Sequence, residues 1–208
     1  MLFWAHSAYA IGLGVTGKAS SLGIGIEVTK SLVPMVNIRG GVNFFNYTFN
    51  RTKSGNDYDF DLKLKSFSIL VDLHPILGRG FRISGGVVFN DNHMEMLGLG
   101  GGSYSIGNQT YTAADIGVLR GTVDFKPFAP YLGIGWGNAT SGRFGIAMDL
   151  GLAFQGSPQV ALVASGPISS NPIFIQELNR ENRELENDTR EFKYYPVIGV
   201  GLSFNLGL

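Results

Sequence analysis

The chain has 208 residues, 16 basic and 16 acidic, no cysteine, 30 glycines, 15 Phe and 8 Tyr. Balanced charge excludes the basic footprint of a nucleic-acid binder, and the lack of cysteine excludes disulfides, zinc–thiolate sites and thiol nucleophiles. Charged residues are only 15% of the chain, against about 25% in an ordinary soluble domain, and no apolar run of about 18 residues could cross a membrane as a helix.

In chain order, residues 1–10, MLFWAHSAYA, read as the remnant of a secretory signal. Ala8-Tyr9-Ala10 is an A-x-A cleavage pattern, which makes Ile11 the mature N-terminus. Residues 11–17 form a short strand or a tail along a barrel. Leu22, Ile24, Ile26 and Val28 alternate with Gly23, Gly25, Glu27 and Thr29, the period-2 mark of a strand with one apolar face. A tight turn at Ser31–Pro34 leads to a second strand, with Val36, Ile38, Val42 and Phe44 against Asn37, Arg39, Gly41 and Asn43. Tyr47 and Phe49 are expected at a membrane interface, followed by the polar loop RTKSGND (51–57). Tyr58, Phe60, Leu62 and Leu64 then carry the apolar side, but Phe67, Ile69, Val71 and Leu73 carry it afterwards. A one-residue slip flips every side chain, so the pattern predicts a β-bulge near Lys65–Phe67.

HPILGRG (74–80) is a turn into Phe81, Ile83, Val87 and Phe89, and residues 95–118 are the longest irregular stretch, read as a long loop. Leu119, Gly121, Val123 and Phe125 alternate with Arg120, Thr122, Asp124 and Lys126, and after KPFAP (126–130) the phase resets to Leu132, Ile134 and Trp136. After a turn at 137–142, residues 143–155 alternate strictly, with Phe144, Ile146, Met148, Leu150, Leu152 and Phe154 on one face and Arg143 and Asp149 on the other. That length suffices for a tilted strand of about 9–11 residues across a bilayer. Gly156-Ser157-Pro158 is expected to turn the chain back into a strand at 160–165. Asn171 and Pro172 read as a helix N-cap and first residue, opening a polar helix over 172–190. Ile175, Leu178 and Leu185 form its thin apolar stripe, and Glu186 and Arg190 are placed for an i,i+4 pair. This helix is read as a solvated connection outside the membrane. Tyr194, Pro196, Ile198, Val200, Leu202 and Phe204 mark the last strand.

These patterns predict an all-β fold: a closed antiparallel transmembrane β-barrel of about eight strands, one domain over 11–208, with one polar helix before the last strand. Open edges in lipid would leave backbone groups unpaired, so closure is required. Counted from Leu22, the turns at 31–34, 74–80 and 137–142 fall on the side of the helix, and the 95–118 loop falls with the C-terminus.

The segments LGIGIEVTKSL (22–32), DFDLKLKSFSILVDLHP (59–75), GFRISGGVVFNDN (80–92), APYLGIGWGN (129–138), DLGLAFQGSPQVALVASG (149–166) and KYYPVIGVGLSF (193–204) resemble small outer-membrane β-barrel proteins of Gram-negative bacteria, OmpA- or OmpW-like. The resemblance implies an outer-membrane location, partners among membrane lipid or lipopolysaccharide and the barrel-insertion machinery, a monomer, and no cofactor or catalytic residues. Such barrels commonly end on an aromatic residue; here Phe204 is followed by Asn205, Leu206, Gly207 and Leu208.

The inward parity collects Glu27, Arg39, Asp59, Asp61, Lys63, Lys65, Asp72, Arg82, Arg120, Asp124, Lys126, Arg143 and Asp149 as a lumen charge network. Buried charges must be paired, so the network reads as internal salt bridging that fills a narrow lumen rather than as a gated ion path. His93 with Asp91 and Ser103 or Ser105 is the one catalytic candidate, and Asp91, His93 and Glu95 the one metal candidate; both are weaker than a rim histidine without a chemical role. The glycines of 98–102 lack the Gly-Lys-Ser/Thr ending of a phosphate loop. The expected function is a non-enzymatic membrane barrel with a structural or surface-interaction role. The alternatives are a soluble lipocalin-like barrel around an apolar ligand and a lipid-modifying outer-membrane enzyme.

Overall fold

The computed structural model describes residues 12–53, 56–76, 80–98 and 100–207; the expected signal remnant and Ile11 lie outside the described residues. Eight strands close on themselves: β1 (Leu13–Ser20), β2 (Gly23–Val33), β3 (Val36–Lys53), β4 (Asn56–Leu73), β5 (Phe81–Asn90), β10 (Phe128–Trp136), β11 (Phe144–Phe154) and β13 (Tyr194–Asn205). The barrel order is β4-β3-β2-β1-β13-β11-β10-β5, with β5 returning to β4, and its pairings are antiparallel.

Alternation explains why these segments are strands and which way they face. On β11, Phe144, Ile146, Met148, Leu150, Leu152 and Phe154 are exposed on the outside, while Ala147, Asp149 and Ala153 are buried inside. Its 11 residues cover about 26 Å of barrel height at a tilt of about 40° and a rise of about 3.4 Å per residue, the height of a hydrocarbon-facing belt. Aromatic pairs rim both edges of this belt. Phe81–Trp136 and Phe144–Phe204 rim one edge, and Phe67–Phe89, Phe89–Phe128 and Phe154–Tyr194 the other.

Beyond the second rim the sheet continues. The first half of β4 leaves β5 and pairs with β6 (His93–Gly98), which pairs with β9 (Leu119–Asp124), which pairs with β12 (Gln159–Ala164). With the long tip of β3 these strands form a curved extension. It is covered by the hairpin β7 (Ser103–Ile106) and β8 (Gln109–Thr112), by the short helix α1 (Ala113–Ile116) and by α2 (Pro172–Asp188).

Several expectations change here. Within the 11–17 stretch, residues 13–17 belong to a full strand, β1, which runs on to Ser20. The stretch at 156–158 does not turn back: β12 continues the direction of β11, because Gly156 (φ +73°) and Pro158, which has no N–H, interrupt the ladder without reversing it. Counted this way, the turns β2–β3, β4–β5 and β10–β11 share one end with both described termini. The 100–118 connection, α2 and the end of the β3–β4 ladder near Lys53↔Asn56 share the other. No bulge occurs at Lys65–Phe67; the β3–β4 register is unbroken from Val36↔Leu73 to Lys53↔Asn56. The parity change is instead an inversion of chemistry. Below Ser66 the inward side is polar and the outward side apolar; above it, Tyr58, Phe60 and Leu62 keep the inward parity while Asp59, Asp61 and Lys63 face water. Tyr47 and Phe49 therefore lie on the inner face of the extension, not on the interface girdle. The 95–118 segment holds β6, a hairpin and a helical turn rather than an irregular loop.

The helix starts as expected: the Asn171 side chain accepts the Ile173 and Phe174 N–H groups, and Pro172 occupies the first turn. It ends at Asp188, before Arg190, so its i,i+4 ion pair is Arg180–Glu184 at 3.2 Å instead of Glu186–Arg190. Its buried contact is Phe174, with Leu178 packed beside it, while Ile175 is exposed.

Candidate functional site

Two places concentrate chemistry: the lumen at the level of the belt and the space above it. In the lumen, Lys18 from β1, Glu27 from β2, Arg39 from β3, Asp72 from β4, Arg82 from β5 and Asp149 from β11 meet, all buried. Arg39 is the hub, 3.1 Å from each of Glu27, Asp72 and Asp149. Lys18 reaches Glu27 at 2.9 Å and Asp149 at 3.1 Å, and Arg82 reaches Asp149 at 2.8 Å. The Ser84 hydroxyl donates to Asp72 at 2.6 Å. Three cations face three anions, so the cluster is neutral, as burial of charge demands.

Glycines make room for these long side chains. A Cβ on Gly41 would stand 2.8 Å from the Glu27 stem, one on Gly135 2.9 Å from Arg82 Nε, and one on Gly199 2.7 Å from the Lys18 stem. Above the charges an apolar layer of Leu22, Leu70, Val88, Ala129, Tyr131 and Val197 crosses the bore. Below them Asn37 bonds His74 at 3.2 Å and Asn138 at 3.1 Å. The cavity left among the charged groups is about 10 Å³, at or below the roughly 10–15 Å³ that one water requires. Among the described residues the geometry pairs opposite charges and leaves little free volume between them.

Of the thirteen residues expected in the lumen, the structure brings together Glu27, Arg39, Asp72, Arg82 and Asp149. Asp59, Asp61, Lys63, Lys65, Arg120, Asp124 and Lys126 lie instead on or beside the water-facing side of the extension, where strand parity is retained but the lining has inverted. Arg143 is exposed at the turn end. Lys18 escapes the sequence reading because it falls between the 11–17 stretch, readable as strand or tail, and the alternation that starts at Leu22. Its signal was present: Thr16 and Lys18 share a parity, and Thr16 pairs opposite Glu27.

The outer face of the extension carries a polar ladder. Thr48 donates to Asp61 at 3.0 Å, Lys63 reaches Asp61 at 2.9 Å, and His93 contacts Glu95 at 3.3 Å and, through Nδ1, Asp124 opposite it. The bond to Asp124 is the main reason the His93 imidazole is held above its usual pKa, with Glu95 adding to it against a smaller effect of burial. The bond from Lys63 holds the Asp61 carboxyl below its ordinary range. Asp91 turns to Lys65 at 3.9 Å. Among the described residues no three His or acidic groups stand where they could hold a metal ion. His74 is part of the lower closure and His93 part of the ladder, while Ser103 and Ser105 border the space above the barrel.

That space is a chamber of about 740 Å³, open on one side. β3 and β4 contribute Phe49, Arg51, Tyr58 and Phe60; Met96, Leu119 and Leu162 form the far wall, and Tyr104, Ile106 and Leu185 the cover. Two acids of α2 anchor the hairpin: Glu181 accepts the Gly107 N–H and Glu177 the Asn108 N–H, both at 2.9 Å. The Asn182 side chain accepts the Leu162 N–H at 2.9 Å and ties the helix to the sheet. Sequence reasoning missed the chamber because its lining comes from seven separate elements.

No family model matches the chain and no curated protein sequence matches it. Two solved structures are similar over nearly their whole length. CarO2 of Acinetobacter baumannii is 22% identical with a TM-score of 0.64, covering 94% of this chain and 98% of that one. CarO of the same organism is 22% identical with a TM-score of 0.59, covering 93% and 97%. At this identity the likeness speaks to the fold, a closed eight-stranded barrel.

Proposed function

We propose that the protein is an integral outer-membrane β-barrel of a Gram-negative cell, without enzymatic activity, that works at the cell surface through its extension rather than by conduction through its lumen. The observation that carries this reading is the neutral, close-packed charge cluster inside an apolar belt of bilayer height. The aromatic rims, the likeness to the CarO structures and the resemblance of the strand segments to OmpA- or OmpW-like barrels support the location. The loop end, with α2 and the extension, then faces outward, and the short turns and the ends of β1 and β13 nearest them face the periplasm. Lipopolysaccharide and the barrel-insertion machinery are its expected partners, and a monomer needs no further contact. A lipocalin-like barrel would need an apolar interior at belt level, where this chain has Lys18, Glu27, Arg39, Asp72, Arg82 and Asp149.

The test is reconstitution in a planar bilayer together with SDS gels of boiled and unboiled outer membranes. The expected result is a heat-modifiable membrane protein with no steady conductance. Stable channel openings from a folded preparation would refute the sealed lumen, and a soluble protein with no gel shift would refute the membrane location.

A further inference from the structure

The chamber has the dimensions of a ligand site, about 740 Å³ against about 300–1,000 Å³ for typical small-molecule pockets. Its composition is specific. Rings follow one another along the inner face of β3 and β4: Phe45–Tyr47 at 6.2 Å, Tyr47–Phe49 at 5.7 Å, and Phe49–Phe60 at 4.9 Å with planes 9° apart. Tyr104 meets Tyr58 edge-on at 6.2 Å from the covering hairpin. Aromatic walls of this kind hold a further ring by offset stacking or edge contact.

At the chamber's border Arg51, opposite Tyr58 in the β3–β4 register, is exposed and makes no ion pair among the described residues. The acid of the lining, Glu181, is engaged with the Gly107 N–H. An exposed guanidinium beside an aromatic wall presents a planar fork that fits a carboxylate.

We propose that this chamber binds a small planar aromatic carboxylate, its ring against Phe49, Phe60 and Tyr104 and its carboxylate on Arg51. The proposal rests on the reading that this end of the barrel faces outward.

The test uses the full chain in lipid nanodiscs and saturation-transfer NMR with 2-naphthoate, and with 2-naphthamide as its neutral analogue, each corrected against empty discs. 2-Naphthoate is expected to bind more tightly than 2-naphthamide. Arg51→Gln should weaken 2-naphthoate about tenfold, the scale of one charge-assisted pair, and leave 2-naphthamide unchanged. Leu162→Trp, which fills the chamber, should weaken both. If that variant does not fold, Arg51→Gln decides alone. Equal affinity for the two probes, indifference to Arg51→Gln, or no signal above empty discs would overturn the proposal. The unboiled gel shift of the same preparation separates the two claims. A heat-modifiable barrel that leaves 2-naphthoate unbound refutes this inference only, whereas a chain without the shift refutes the membrane reading.

Discussion

Replacing Arg39 by Met tests the lumen most sharply. Arg39 touches three carboxylates at 3.1 Å, but they do not depend on it equally. Glu27 keeps Lys18 at 2.9 Å, and Asp149 keeps Arg82 at 2.8 Å and Lys18 at 3.1 Å. Asp72 keeps the Ser84 hydroxyl and an Arg82 nitrogen 3.9 Å away. The loss therefore leaves a buried net negative charge centred on Asp72, a defect that costs about 3–5 kcal/mol when one partner of a buried pair is removed. Adding Asp72→Asn restores neutrality, so the double variant should be more stable than the sum of the two single losses by at least about 1 kcal/mol. The assay is urea unfolding in phospholipid vesicles, with the folded fraction read from the unboiled gel band. A loss below about 1 kcal/mol for Arg39→Met, or strict additivity with Asp72→Asn, would refute the hub.

Three further outcomes are expected. Gly151→Ala places a Cβ 2.6 Å from the nearest ring carbon of Tyr131 and closer still to its hydroxyl oxygen, the side chain lying across Gly151 and Gly133; by the same urea assay it should cost about 1–3 kcal/mol from overpacking. Asn171→Ala removes the cap of α2 and should cost about 1 kcal/mol locally, seen as faster proteolytic nicking of the 165–193 segment with the barrel band unchanged. His93, raised by Asp124 above the ordinary histidine value of 6.5, contributes stability that is full below 6.5 and lost as pH rises through its folded pKa. Amide protection in the β6–β9 pairing should therefore fall with rising pH, and Asp124→Asn should bring the His93 titration, followed by NMR, back toward 6.5.

The barrel was legible because period-2 alternation is the direct imprint of a sheet with one apolar and one polar or small face, and residues 143–155 carry it without a break. Helix α2 was legible for a local reason, its Asn171-Pro172 start. What misled was the assumption that apolar always means outward. In the proposed membrane placement, the chain leaves the bilayer at Lys65, water replaces lipid outside, and the same strand parity must hold apolar groups inside. In sequence that exchange looks like a slipped register, and it placed Asp59, Asp61, Lys63, Arg120 and Asp124 in the lumen. Interruptions at Asp91-Asn92, Phe125–Pro127 and Gln155–Pro158 cluster where β5 and β11 end and β10 begins. Gly and Pro mark a break without saying whether the chain reverses or continues. Lys18 and the chamber depended on strand neighbours far apart in sequence, which a single chain read in order does not reveal.

The most direct test of the whole account exploits the absence of cysteine. Single cysteines at Asp61, Glu184, Leu150 and Ser141 are probed on whole cells with a membrane-impermeant maleimide, before and after permeabilisation. The account predicts that Asp61→Cys and Glu184→Cys label on intact cells, Ser141→Cys only after permeabilisation, and Leu150→Cys in neither case. Labelling of Leu150→Cys, or of Ser141→Cys on intact cells with Asp61→Cys protected, would contradict the belt or its orientation.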